Sequence, residues 1–186
     1  MKNAFITLAL VLILASTSLT MADENTGITI KHAEIVANGS SSLLHARIDY
    51  YLNDDIIEAL NNGITLTFNV SLIIYQHRNW LWNKRRASLV FPYRLKYHTL
   101  SQTYQVTDVT SNHKQVFSGL YPALHALGTL NDLPLHNIAA LQASKHSAKL
   151  SVALNIEALP LPMRPLAYIT PNWHLSSNPL QWPLSQ

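Results

Sequence analysis

The sequence predicts a mainly β protein: a two-layer antiparallel β-sandwich, immunoglobulin-like in general architecture, with two short helices. Three observations lead there. Apolar and polar residues alternate with a period of two through several long stretches. Turn residues separate neighbouring stretches at hairpin distances. Only two segments combine helical spacing of apolar residues with capping residues at both ends.

The cleanest alternation is ITLTFNVSLIIY. It sets Ile64, Leu66, Phe68, Val70, Leu72 and Ile74 on one face and Thr65, Thr67, Asn69 and Ser71 on the other. In KLSVALNIEAL, Leu150, Val152, Leu154 and Ile156 oppose Lys149, Ser151, Asn155 and Glu157. In VFPYRLKYHTL, Phe91, Tyr93, Leu95 and Tyr97 oppose Arg94, Lys96 and His98. One apolar and one polar face per strand implies antiparallel sheets with a wet side.

Asn38-Gly39-Ser40 separates ITIKHAEIVA from LLHARIDYYL, and Asn-Gly is a strong hairpin signal. Ser111-Asn112-His113 makes a looser turn, so the chain from Leu89 to Phe117 reads as a three-strand meander. In NDDIIEALNNG, Asn53 caps a helix, Asp54 and Asp55 suit its positive end, and Asn62-Gly63 ends it. In SGLYPALHALG, Ser118 is the expected cap, Leu120, Leu124 and Leu127 form the stripe, and Gly128 ends the helix. A further helix is expected around His136 to Gln142.

The N-terminus reads as a secretory signal peptide. Lys2 precedes an apolar run from Ala4 to Ala15, and Thr20-Met21-Ala22 supplies small residues for cleavage after Ala22. The run is about a dozen residues, short for a membrane span; an uncleaved anchor is the alternative. Residues 1–22 are therefore assigned to the signal and residues 23–186, roughly 160 residues, to one β-sandwich domain. With no cysteine there is no disulfide, thiolate nucleophile or lipoprotein attachment site. A short signal and no cysteine suggest a Gram-negative periplasm. The net charge of +3 and that compartment both argue against a nucleic-acid partner.

The five glycines form no phosphate-binding loop, dinucleotide fingerprint or nucleophile elbow, and no HExxH occurs. Asp54, Asp55 and Glu58 are explained by the first turns of a capped helix. Among nine histidines, the first hairpin holds the best metal candidates. A turn centred near Gly39 places Glu34 opposite His45 with His32 on the same face, a weak zinc set that depends on the register. No cofactor is expected.

YQHRNWLWNKRRASLVF has the most unusual local composition. Trp80 and Trp82 stand among Arg78, Lys84, Arg85 and Arg86 on what reads as a loop between two strong strands. Trp and Arg dominate contact energetics, so this loop is the leading candidate for gripping a partner. The alternative is that a Trp covers the end of the sandwich while the arginines keep a hairpin tip soluble.

The late segment LPLPMRPLAYITPNWHLSS concentrates four of the nine prolines. Pro160 and Pro162 favour an extended backbone, so Leu159 to Pro165 reads as a crossover into a final strand near Trp173 to Leu175. Arg164 and Trp173 are secondary partner-binding candidates.

Three segments together resemble an uncharacterised proteobacterial exported family, domain of unknown function 4390. They are EALNNGITLTFNVSLIIYQHRNWLW, YRLKYHTLSQTYQVTD and LPLPMRPLAYITPNWHLSSNPLQWPL. The resemblance implies an exported single-domain protein without an assigned activity, encoded near a membrane sensor histidine kinase. It carries over no catalytic residue.

The leading expectation is thus a periplasmic, non-enzymatic interaction module that meets an envelope protein, with the external domain of a sensor kinase as one candidate. A small-ligand or lipid carrier with a pocket between the sheets is the alternative. A metal-assisted hydrolase using His32, Glu34 and His45 comes third.

Overall fold

The computed structural model describes residues 27–38, 41–78, 83–135 and 146–184. The signal segment with its cleavage site, the Gly39-Ser40 turn, Trp80, Trp82 and the helix expected at His136 to Gln142 lie outside the described residues. The strands are β1 (Gly27–Asn38), β2 (Ser41–Tyr51), β3 (Leu66–Gln76), β4 (Lys84–His98), β5 (Thr103–Asp108), β6 (Lys114–Phe117), β7 (Thr129–Leu135), β8 (His146–Leu154) and β9 (Leu180–Leu184). The helices are α1 (Asp54–Asn61), α2 (Leu120–Gly128) and α3 (Arg164–Ile169). The strands form a three-stranded sheet, β1-β2-β7, and a six-stranded sheet, β6-β5-β4-β3-β8-β9, both antiparallel.

β3 is central because its apolar face has partners on both sides. Phe68 lies between Tyr93 and Leu154, Val70 between Phe91 and Val152, and Leu72 between Leu89 and Leu150. Leu66, Phe68, Val70, Leu72 and Ile74 are all fully buried. The other layer contributes Leu44, Ala46, Ile48 and Tyr50 of β2 to the same core. Tyr50 meets Phe68 edge-to-face, with centroids 5.0 Å apart and planes at 68°. In β1 a bulge between Ile30 and His32 changes the inward parity from Ile28 and Ile30 to Ala33 and Ile35. The apolar spacing of ITIKHAEIV requires that shift.

The meander from β4 to β6 forms as the sequence implies. Asp108 builds its turn by accepting from Thr110 N (2.8 Å), Ser111 N (3.3 Å) and Ser111 Oγ (2.8 Å), and Asn112 takes φ 56°. Pro92 sits in an interior strand without losing a ladder bond. β5 pairs with β4 only from Tyr93 onward, and the Pro92 carbonyl accepts from Val109 N at 3.0 Å just beyond that end.

Several local expectations need correction. The cap of α2 is Gly119, not Ser118, and it makes no side-chain bond; Pro122 falls in the first turn, where a helical N–H has no intrahelical partner. The proline segment is not an extended crossover. It winds through helical turns at Leu161–Met163, α3 and Pro171–Trp173, each with a proline at its first or second position. Proline's fixed φ suits a helical start as well as an extended chain. The final strand is β9, beyond two isolated bridges at Ser176 and Ser177.

Candidate functional site

Directly opposed residues on neighbouring strands share a face, so the register assigns every side chain of the six-stranded sheet. Phe68, Val70 and Leu72 point inward. The rows through Thr67, Ile73 and Tyr75 therefore point outward. They bring Arg94 opposite Thr67, Lys149 opposite Ile73 and Arg85 opposite Tyr75. Arg94 is also opposite Thr107, which pairs onward with Lys114, and Lys96 is opposite Gln105. One wide face thus carries Arg85, Arg94, Lys96, Lys114 and Lys149. Lys149 is half-buried and the other four are exposed. Between them stand hydroxyls and amides such as Thr67, Asn69, Ser71 and Ser151.

Among the described residues this face has no carboxylate. The one acid on the six strands, Asp108, pairs with Tyr93 on the inward parity and is engaged by its own turn. Among the described residues none of the five cations makes an ion pair. The opposite layer behaves differently. Its outer side places Lys31 and Arg47 at 3.9 and 3.8 Å from Asp49, His32 at 3.8 Å from Glu34, and His45 at 3.5 Å from Asp132. One layer neutralises itself and the other holds an uncompensated positive field.

The basic cluster expected on a loop belongs to β4. Lys84 opposes Gln76 and Arg85 opposes Tyr75, while Arg86 takes up the register shift after Ile74 and donates through Nε to Gln76 Oε1 at 3.0 Å. β3 runs on to Gln76, and Lys84 to Arg86 pair with its far end rather than forming a tip. Arg78, Lys84, Arg85 and Arg86 are all exposed; Arg85 has the outward parity, while Lys84, opposite Gln76, has the parity of Ile74 and stands beside the basic face at that end.

The secondary candidates have other roles. Trp173 is only 5% exposed and packs in the core, so its ring is not offered to a partner. Arg164 donates to the Leu159 carbonyl at 2.9 Å and lies 3.5 Å from Glu157, which also accepts from the Tyr168 hydroxyl. Its guanidinium braces the proline segment. Glu34 does stand opposite His45. The triad with His32 does not form, because His45 turns to Asp132, and among the described residues no three such side chains converge on a metal position.

Arg94, Lys96 and Lys149 were legible as polar-face residues of their strands. Missing from the sequence was any sign that the three polar faces are one surface. Lys114 gave no signal in its short strand. A cleft of about 510 Å³ opens beside β2, between that strand and α1 and α2, rather than between the sheets. Inside, burial raises the Tyr50 phenol well above its ordinary value, with neighbouring Tyr93 adding to the effect. Tyr93 is raised by burial first and by the Asp108 carboxylate second.

These features define a small antiparallel sandwich with one self-neutralised layer and one basic layer. The chain belongs to the family described as Domain of unknown function (DUF4390), whose model matches residues 25–183. No curated protein and no solved structure matches the chain. Among the described residues no helix is long and apolar enough to cross a membrane.

Proposed function

We propose that this protein is a non-enzymatic interaction module, exported to the periplasm, that docks an acidic protein surface on the outer face of its six-stranded sheet. The observation that carries the reading is the set Arg85, Arg94, Lys96, Lys114 and Lys149 on one face with no carboxylate among them. Like charges held on one rigid surface repel one another, and an anionic partner relieves that repulsion while gaining a faster encounter. Arg78, Lys84 and Arg86, with Trp80 and Trp82 in the connection between β3 and β4, supply the contacts at its edge. A membrane sensor histidine kinase is the first partner to examine, on the strength of the family resemblance.

The test is photo-crosslinking in cells from Val90, which is 52% exposed on the basic face, with Val36, 42% exposed on the other layer, as the control. The expected result is one discrete envelope protein at Val90 and none at Val36, lost when Arg85, Arg94 and Lys96 are changed together to Glu. Adducts with lipid alone, or the same adducts from both sites, overturn the reading. Fractionation with N-terminal sequencing tests the export step, and the expected mature protein begins at Asp23.

A further inference from the structure

β2 outruns one of its two neighbours. β7 accompanies it from Ser42↔Leu135 to Arg47↔Thr129, and there the chain gives way to α2. The opposite edge stays paired with β1 as far as Gly27↔Tyr51. From Ile48 to Tyr51, therefore, no strand among the described residues pairs with the α2 side of β2.

Gly128 shows which groups face that side. A Cβ on Gly128 would stand 1.8 Å from the Ile48 carbonyl oxygen, so this carbonyl points toward the end of α2. Backbone groups alternate in direction along a strand, so the N–H and C=O of Tyr50 point the same way. They face the cleft beside β2. One wall is the run of consecutive residues from Arg47 to Leu52, which is how a strand edge lines a groove. The other wall is Ile57 of α1 with Leu120, Tyr121, Leu124 and His125 of α2. Tyr51 and Tyr121 are 45% and 79% exposed, unusual for large side chains beside an apolar groove.

An open strand edge is a template for another strand. An acyl chain or compact apolar ligand satisfies the walls but leaves the Tyr50 backbone groups without partners. An extended peptide satisfies both, pairing its main chain with the edge and placing a side chain between α1 and α2. On the rim Arg47 lies 3.8 Å from Asp49, so the two charges offset each other and selectivity falls to the apolar walls.

We infer that the open edge of β2 is a peptide-docking site: it takes up an extended segment carrying an apolar anchor, as a short strand in the lane that β7 vacates. The site is separate from the basic face of the other sheet and does not depend on the reading given for that face.

Selection of linear random peptides by phage display on the purified protein tests this, followed by hydrogen exchange on the complex. The expected peptides share an apolar anchor residue, and they slow exchange at the Tyr50 amide. Tyr121→Asp and His125→Trp alter exposed side chains and leave the thermal midpoint in place. Each weakens binding about tenfold, as does N-methylation of the peptide amide that pairs with β2. Four outcomes overturn the inference: no enriched peptide, protection confined to the basic face, indifference to N-methylation at every peptide position, or a co-purifying lipid held in the cleft by native mass spectrometry. Protection on the basic face alone leaves the proposed function standing, so the two readings fail separately.

Discussion

Asn53 and Asn172, separated by 119 residues in sequence, hold each other across one end of the sandwich. The Asn53 amide donates to the Asn172 carbonyl at 2.6 Å, and the Asn172 amide donates to Asp55 Oδ2 at 2.8 Å. At the same time Asn53 Oδ1 accepts from Ile56 N at 3.0 Å and so caps α1. A single side chain starts a helix and anchors the turn that carries Trp173 into the core.

Separating those two roles gives the first prediction. Asn53→Ala removes the cap and the tie, and should lower stability by about 1–2 kcal/mol. Asn53→Ser keeps a capping oxygen but cannot reach Asn172, and should lose only about 0.5–1.5 kcal/mol. Urea denaturation of both variants decides it. Equal losses would mean the cap contributes nothing, and an unchanged Asn53→Ser would mean the same of the tie.

Gly128→Ala should reverse the usual rule for helices. Alanine is ordinarily favoured over glycine by about 1 kcal/mol. Here the new methyl would stand 1.8 Å from the Ile48 carbonyl oxygen, and that neighbour is backbone. The expected result is a loss of about 3 kcal/mol or more, or failure to fold, read from the denaturation midpoint.

Tyr50 and Phe68 should respond in opposite directions. Phe68→Ala opens a fully buried site and should cost about 3–5 kcal/mol. The Tyr50 hydroxyl is buried and has no hydrogen-bond partner among the described residues. Tyr50→Phe removes that desolvated group and keeps the ring contact, so its thermal midpoint should equal or exceed that of the parent. A large drop would reveal a partner for the hydroxyl.

The same phenols set the alkaline limit. Tyr50 and Tyr93 hold their protons more tightly folded than unfolded, since burial raises both. A raised folded pKa contributes stability that is fully present below the unfolded value near 10 and is lost as pH rises above it. Thermal midpoints should accordingly show no dependence on these two groups below about pH 10 and fall beyond it. In a spectrophotometric titration, Tyr50 and Tyr93 should ionise only with loss of the near-ultraviolet circular dichroism signal. Ionisation of all eight tyrosines near pH 10 with the fold intact would contradict this.

Trp173 and Arg164 show where reading residues from sequence reached its limit. Their proline-rich surroundings suggested an extended, partner-facing segment, yet prolines at the starts of helical turns turn the segment back on the fold. Proline restricts φ, and one φ serves both conformations. The choice was made by contacts with distant residues: Trp173 in the core and Asn172 on α1. Lys84 to Arg86 teach the same lesson in reverse. They have loop-like composition and became strand because the far end of β3 pairs with them.

The sequence by itself determined which side of each long strand is apolar, the meander from β4 to β6, the pairing of Glu34 with His45, and the cap of α1. Each depends on residues close along the chain, through side-chain alternation, turn geometry or capping. Tertiary structure alone decided that β8 lies beside β3 and that β7 leaves β2 uncovered after Arg47. It also decided that the polar sides of β4, β6 and β8 join into one basic face. Those outcomes follow from pairing between strands distant in sequence, where the hydrogen-bonding backbone is alike in every strand and only the collective packing of their apolar faces selects the partner.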